Sequence, residues 1–535
     1  MAAESKLDLS DHIQLLMLSG TFVLAVLEYY LLAVILLGCT VYNIYSTIRI
    51  PPKRCKDNSF SVAIIGCGFG GINMAIKLKE AGIKFTIYEK SRQLGGTWLD
   101  NVYPGCACDI ASHLYSYSFF PKPDWSVAYP KQEEILQYLK DVVSHYGLKP
   151  HIKFNTEIEC TSWNTENKIW NIKVKGGEDI TSNILVSAVG TVRVPMIPGF
   201  KDASKFKGDI FHSAEWKKDF DTKGKVVGVI GTGATSVQIV PALKDKVKEM
   251  YVFQRTACWV PPRMGFTYPN FVKWIFEYFP FTMKIHRYLL FLENESRFWF
   301  IFTKNSLLGQ LAQKVIETYM KMVVQHKQGL MPDYPMGCKR ITPSDYYLQA
   351  FHHPKVELVT DGIQRLTETG IQTKDREYNL DAIIYATGFC PMKSINGFKC
   401  IGQSGITLKD QWGDTPNAYF GITIPNFPNF FVVNGPNVTL GHNSIVYMIE
   451  CQVNYIMDCV RELIESGEMS IELKDYVHKT HMDWIYDSMK SRVFYSGCVN
   501  WYKNAKGINY VMWPSHLAKY WWMTKTCNPI DYYFK

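Results

Sequence analysis

The spacing of apolar and polar positions divides the chain into a long apolar front and a body of short apolar runs separated by turn residues. From Ile13 to Ile48 the only charged residue is Glu28, and Tyr29–Ile48 carries no charge. About 20 apolar residues in a helix span the hydrocarbon core of a bilayer. The run therefore predicts an N-terminal transmembrane helix within residues 1–57, with Tyr29, Tyr30, Tyr42 and Tyr45 at its interfaces. The preceding charges are mostly acidic (Glu4, Asp8, Asp11), unlike the basic start of a signal peptide. Arg49, Lys53, Arg54 and Lys56 follow the run, and the positive-inside rule keeps such a cluster in the cytosol. The expectation is a single-pass membrane protein, in the endoplasmic reticulum, with the rest of the chain on the cytosolic face.

Behind the front, the pattern repeats one unit twice. Ser61–Ile65 is a short continuous apolar run, the mark of a buried strand. Gly66, Gly68, Phe69, Gly70 and Gly71 follow, then a helical stretch to about Ala81. A second strand, Lys84–Tyr88, ends at Glu89, 23 positions after Gly66. A glycine-rich turn between strand and helix, with an acid at that distance, is the Rossmann dinucleotide fingerprint. The helix N-terminus offers free N–H groups to a pyrophosphate, and the acid accepts hydrogen bonds from ribose hydroxyls. The second unit runs from Lys225–Ile230 through Gly231, Thr232, Gly233 and Ser236 to a strand Met250–Gln254. Arg255, 24 positions after Gly231, stands where the first unit has its acid. Arginine binds a phosphate through two parallel hydrogen bonds, whereas an acid would repel it. The first unit is thus expected to take FAD and the second NADPH.

The fold class expected is α/β, with two Rossmann-like dinucleotide-binding domains, a helical insertion and an N-terminal transmembrane helix. Residues 58–195 would be the first part of the FAD domain and 196–385 the NADPH domain. Residues 386–535 would return to the FAD domain and add a C-terminal tail. Within the NADPH domain, residues 261–335 read as aromatic-rich helices. Charges interrupt their apolar runs, which argues against a second span and for a cover over the substrate cleft. A position in the lipid interface is the other reading of these helices.

Composition narrows the choices. Charged residues are 20% and hydrophobic residues 47% of the chain, which is globular. The net charge of +9 comes with no basic block or recognition module for nucleic acid. The 14 cysteines form no C-x-x-C pair and no regular framework. Scattered thiols suit a reducing compartment, and no metal site is expected. Cys106, Cys108, Cys338 and Cys390 are read as packing residues.

Phe206, Gly208, His212 and Trp216 match the F-x-G-x-x-x-H-x-x-x-W fingerprint of Baeyer–Villiger monooxygenases. Lys217 departs from the Pro or Asp usual at the next position. Gly95, Gly96, Thr97 and Trp98, then Tyr103, Pro104, Gly105 and Asp109, look like that family's other signature. Asp381 followed by Ala386, Thr387 and Gly388 is similar to its A-T-G hinge. The resemblance covers nearly everything behind the apolar front. It implies FAD- and NADPH-dependent oxygenation through a flavin C4a-peroxide, which inserts one oxygen atom of O2 beside a ketone or aldehyde carbonyl. It also implies that Arg340 and Asp109 are catalytic, the acid orienting the arginine. Lys339, Arg255 and Thr256 would hold the 2′-phosphate. Gly96, Thr97, Trp98, Asp109 and Tyr115 would line the FAD site. His212 and Trp216 would couple domain movement to cofactor binding.

For Asp109 the residues alone leave a second role open, a helix cap before Ile110–Tyr117. For the whole chain two other functions stay open. One is oxygenation of nitrogen or sulfur, as in flavin-containing monooxygenases. The other is an uncoupled NADPH oxidase that releases hydrogen peroxide, or a flavoprotein kept as a membrane-associated binding partner. A lipophilic carbonyl compound is the substrate class that the apolar front and the aromatic insert suggest.

Overall fold

A computed structural model of the protein describes residues 60–535, apart from Lys218, His326 and Gln328. The predicted transmembrane segment lies outside these residues. Among the described residues no helix is long and apolar enough to cross a membrane.

Two five-stranded parallel sheets organise the molecule. In the first, the strands run in the order Phe430–Val432, Ile184–Ser187, Ser61–Ile65, Lys84–Tyr88, Ile152–Lys153. In the second the order is Val356–Val359, Glu249–Phe253, Val226–Ile230, Ala382–Tyr385, Asp209–His212. Such strands are buried on both faces, which explains their continuous apolar runs. Val62, Ile64, Val227 and Val229 are all buried. In each sheet the first strand of the unit lies between its second strand and one that arrives much later in the chain. That is the switch point at which open α/β sheets bind ligands, beyond the C-terminal strand ends. A smaller sheet, in the order Lys399–Ile401, Ile158–Asn164, Ile169–Val174, Ile180–Ser182, accompanies the first.

The chain passes between the sheets along two adjacent segments. Pro195 and Phe389 form an antiparallel bridge. Met196 N donates to Gly388 O at 2.8 Å, and Cys390 N donates to Val194 O at 2.8 Å. Late strands therefore complete both sheets: Ala382–Tyr385 joins the second, and Phe430–Val432 joins the first.

The helical insertion comprises Asn270–Tyr278, Pro280–Ile301 and Leu307–Val324. Phe276, Met283, Phe298, Met320 and Val324 are buried. The middle helix is held by two polar contacts. Arg287 donates to the carbonyl of His113 and to Ser116 Oγ. The buried Glu295 carboxylate accepts from Asn443 Nδ2 at 2.7 Å, Ala518 N at 3.0 Å and Leu517 N at 3.1 Å, and it pairs with His442 at 3.2 Å. Burial raises the Glu295 pKa, but its hydrogen bonds and His442 outweigh that and leave it below the usual carboxylate value. One carboxylate thus ties the insertion to the C-terminal segment.

Two expectations are corrected here. The cysteines are not all free thiols, because Cys338 and Cys498 form a disulfide across 160 positions. Spacing could not reveal it, since the pairing depends on two loops meeting in space. In addition, Ile110–Tyr117 is a series of turns and not a helix, so Asp109 caps none.

Replacing Glu295 by Ala leaves several buried donors unpaired, at a cost on the order of 3 kcal/mol. The expected result is a lower thermal midpoint together with faster proteolysis of the C-terminal segment. In the wild type the depressed pKa means this contribution is present at neutral pH and is lost as pH falls below the ordinary carboxylate range.

Candidate active site

Each glycine loop opens a helix that lacks a side-chain cap. Phe69–Ala81 begins at Gly68 and Ala234–Leu243 at Gly233, and neither N-cap residue offers a side chain to the first-turn N–H groups. These groups stay available to an anionic ligand. In the first loop, a Cβ on Gly71 would stand 1.9 Å from Gly66 O, so helix and strand meet only because no side chain intervenes. Gly96 closes on Gly68 from the far side, where its own Cβ would lie 3.4 Å from the Gly68 Cα. The helical turn Thr97–Asp100 starts there. Phe69, Trp98 and Tyr115 form one aromatic group beside the loop: Trp98 Nε1 donates to Tyr115 OH at 3.2 Å, and Phe69 meets Tyr115 edge-on at 5.3 Å. Glu89 is buried at the end of its strand, accepting from Cys67 N and Ser91 N at 2.8 Å each. The cradle fits the FAD that the sequence implied: free N–H groups, close glycine backbone and an acid at the strand end.

The second loop carries cations instead. Arg255 is exposed at the end of its strand, and Thr256 O accepts from Thr232 Oγ1 at 2.8 Å. Ser236, the replacement for the third glycine, is fully buried against the strand. The stretch after Thr256 is laced to the segment that carries Lys339 and Arg340. Tyr334 OH donates to Ala257 O at 2.9 Å, Trp259 Nε1 to Tyr334 O at 2.9 Å, and Thr342 N to Trp259 O at 3.0 Å. These bonds draw Lys339 towards Arg255. Burial, then Arg255, hold the Lys339 pKa below the ordinary lysine value. Asp333 offsets this only as the smallest of the three causes, so two gathered cations offer charge that suits a phosphate.

Arg340 reaches the other way. Its guanidinium is hydrogen-bonded to the Asp109 carboxylate, 231 positions earlier in the chain. Asp109 raises the Arg340 pKa further above its usual value, against the effect of burial. Burial raises that of Asp109, but Arg340, and then Arg263, outweigh it and keep the acid ionised. The segment before Asp109 is clamped to the helix of the second unit. A Cβ on Gly105 would stand 2.6 Å from Gln238 O, and Gln238 Nε2 donates to Ala107 O at 2.9 Å. Tyr103 OH donates to Gln238 Oε1 at 3.0 Å. The second signature thus marks the surface through which one dinucleotide unit grips the other.

The fingerprint residues lie apart from this pair, along the edge strand Asp209–His212. Phe206 is buried in the core of the second unit, and Gly208 approaches Asp381 O too closely for any side chain. His212 is buried, accepts from Ala214 N at 3.1 Å and meets Phe389 at the inter-sheet link, with ring centroids 5.5 Å apart. Trp216 packs edge-on against Phe211.

The flavin-binding monooxygenase-like family profile matches residues 59–394. A Baeyer–Villiger monooxygenase of Streptomyces coelicolor is 36% identical over 478 residues, covering 88% of this chain and 92% of that one. Another, of Pseudomonas aeruginosa, is 36% identical over 496 residues, with 90% and 92% covered. The chain belongs to the Baeyer–Villiger monooxygenase family of flavin-binding monooxygenases. Solved members superpose over most of its length. OTEMO in complex with FAD and NADP gives a TM-score of 0.81 at 25% identity, covering 90% of this chain and all of that one. A steroid monooxygenase bound to NADP gives 0.79 at 26%, with 87% and 97% covered.

Three further residues of this family member were not legible in the sequence. Arg263 donates to Cys108 O beside Asp109, and its ring partner is Tyr129. It also lines a cavity of 820 Å³ between residues 103–107 and the helix Ala234–Leu243, which Arg340 does not line. Tyr502, fully buried, lies within electrostatic reach of Arg340. Arg193 bridges Glu89 and Asp100. None sits at a fixed spacing from a motif, so no sequence signal marked them.

Lys339 must be protonated to hold a phosphate, and burial and Arg255 hold its pKa below the ordinary lysine value. The KM for NADPH should therefore rise as pH climbs through that lower value. Lys339→Arg, whose cation does not titrate, should flatten the rise. Initial rates at saturating substrate, followed from neutral pH up to the ordinary lysine range, read both effects.

Proposed function

We propose that Arg340, oriented by Asp109, is the catalytic cation of this enzyme, and that Arg255 and Lys339 select NADPH over NADH. The enzyme is an FAD- and NADPH-dependent monooxygenase of the Baeyer–Villiger type, which inserts one oxygen atom of O2 beside a ketone or aldehyde carbonyl. FAD, when bound, supplies the electron transfer and the oxygen activation, and NADPH supplies the hydride. The observation that carries the assignment of Arg340 is its ion pair with Asp109.

The protein's share is charge and order. A guanidinium that never deprotonates can stabilise the negative charge that develops on the substrate's carbonyl oxygen during attack. Preorganised stabilisation of this kind is commonly worth about 3 kcal/mol. Asp109 fixes the direction of that charge without titrating near neutrality, because its pKa is already depressed. Glu89 would accept from ribose hydroxyls, and the uncapped helix starts at Gly68 and Gly233 would take the pyrophosphates.

A lipophilic carbonyl substrate, met at a membrane, is the further part of this proposal. The charge-free run Tyr29–Ile48 supports an anchor, the basic residues after it support a cytosolic catalytic part, and the endoplasmic reticulum is the membrane assigned in this proposal. At the junction of two insertion helices Trp274, Tyr278, Phe279 and Phe281 are exposed and touch one another, an arrangement that favours an interfacial position. Purely hydrophilic short ketones as the preferred substrates would count against this part.

The deciding assay supplies FAD-loaded protein with NADPH, O2 and a panel of lipophilic ketones, amines and sulfides, with hydrogen peroxide followed in parallel. Esters should form from ketones, and Arg340→Ala should lower ester formation about a hundredfold or more. N- or S-oxides that survive the substitution would assign the heteroatom chemistry instead. Peroxide without organic product would assign an oxidase.

A further inference from the structure

The Cys338–Cys498 disulfide joins two segments that matter to the site for different reasons. Cys338 immediately precedes Lys339 and Arg340 and is fully buried. Cys498 is half-buried, on the segment that leads to Tyr502. Around the bridge the two segments share few other bonds. Asn500 Nδ2 donates to Cys338 O at 3.0 Å, and Asn500 Oδ1 accepts from Tyr502 N at 3.1 Å. Gly337 fits so closely under Val493 that a Cβ there would stand 3.0 Å from its Cγ1. The order of contacts is thus disulfide, one backbone carbonyl, one asparagine, then the buried tyrosine beside Arg340. Ten other described cysteines are unbridged. The one covalent cross-link among the described residues falls next to the proposed phosphate-binding lysine and catalytic arginine.

We propose that this disulfide is a redox-sensitive tie that positions the Lys339–Arg340 segment and the Tyr502 segment against each other. The proposal rests on the roles assigned above to Lys339 and Arg340. Disulfides do not persist in a reducing cytosol unless they are protected, and an accessible one is open to exchange. A dithiol of the thioredoxin class would attack the half-buried Cys498 sulfur as a thiolate. The Cys338–Cys498 bond then breaks, Cys338 leaves as a thiolate that takes up a proton, and a mixed disulfide forms at Cys498. The second thiol of the reductant resolves it, releasing Cys498 as a thiol and the reductant as its own disulfide. Two electrons and two protons pass to the protein in total. What remains is the Asn500 hydrogen bond and the Gly337–Val493 packing, together far weaker than a covalent bond. The Tyr502 segment then opens more often, Lys339 loses its fixed place, and shielding of the oxygen chemistry from water declines.

Holoenzyme purified without reductant, alkylated and digested, should yield Cys338 and Cys498 as one linked peptide pair. Reduction with dithiothreitol should speed tryptic cleavage at Lys503 and Lys506 about fivefold, since local opening sets that rate. It should raise the KM for NADPH about fivefold with kcat changed much less, the signature of lost cofactor binding. The fraction of NADPH consumed as hydrogen peroxide should increase, and reoxidation with oxidised glutathione should reverse all three effects. Cys498→Ser, at a half-buried position, should show the reduced values without dithiothreitol and respond no further. Cys160→Ser should respond as the wild type does. Free thiols at both positions in the unreduced enzyme would overturn the proposal. So would a linked pair whose reduction moves none of the three readouts, or a Cys498→Ser enzyme that still responds. Should Arg340→Ala leave ester formation intact while reduction still speeds proteolysis, the catalytic reading fails and the tie stands.

Discussion

A guanidinium and a carboxylate from opposite ends of the dinucleotide-binding region have to meet for this site to exist. Arg340 arrives on a segment laced to the second unit, and Asp109 on the segment that follows the turn Thr97–Asp100. Neither can be left alone. A half-buried charge without its partner costs several kcal/mol, far more than the pair gains when complete. The surrounding architecture fixes both backbones. Gly105 and Gln238 clamp the Asp109 segment to the helix of the second unit, and Trp259, Tyr334 and Thr342 hold the Arg340 segment to the stretch that follows Arg255. The ion pair is the place where two rigid units agree.

That arrangement separates two electrostatic tasks. At the first cradle the chain offers an acid and neutral N–H groups, which suits ribose and pyrophosphate. At the second it gathers Arg255 and Lys339 and accepts the cost, visible in the lowered Lys339 pKa. Unlike that pair of like charges, Arg340 is neutralised by Asp109 and remains a directional donor. One loop, residues 334–344, supplies both the unpaired lysine and the paired arginine. The disulfide at Cys338 is attached to this loop on the lysine's side, while Arg340 keeps its own tie to Asp109.

The family fingerprint has a structural explanation in this fold. Phe206, Gly208 and His212 build the edge strand that pairs with Ala382–Tyr385 and lead it past the link between the sheets. Those side chains do not reach Arg340 directly. They secure the strand against which the two crossing segments are registered, so a sequence motif far from the chemistry reports on the link between the units.

The sequence by itself determined the two glycine turns, their strands and helices, the acid at Glu89 and the cation at Arg255. These are local features: a helix start, a strand end and a ligand phosphate all fall within about 25 residues, so spacing encodes them. Strand bounds agree to within a residue, as for Ser61–Ile65 and Lys84–Tyr88. What only the tertiary structure decided are meetings between distant segments. The resemblance implied that Asp109 pairs with and orients Arg340, but the means of bringing them together across 231 positions is tertiary. Arg263, Tyr502 and Arg193 carried no spacing signal at all. The Cys338–Cys498 bridge contradicted a reading of free thiols because cysteine spacing says nothing about loops that fold together across 160 positions. Periodicity records which face of an element is buried; it does not record which other element buries it.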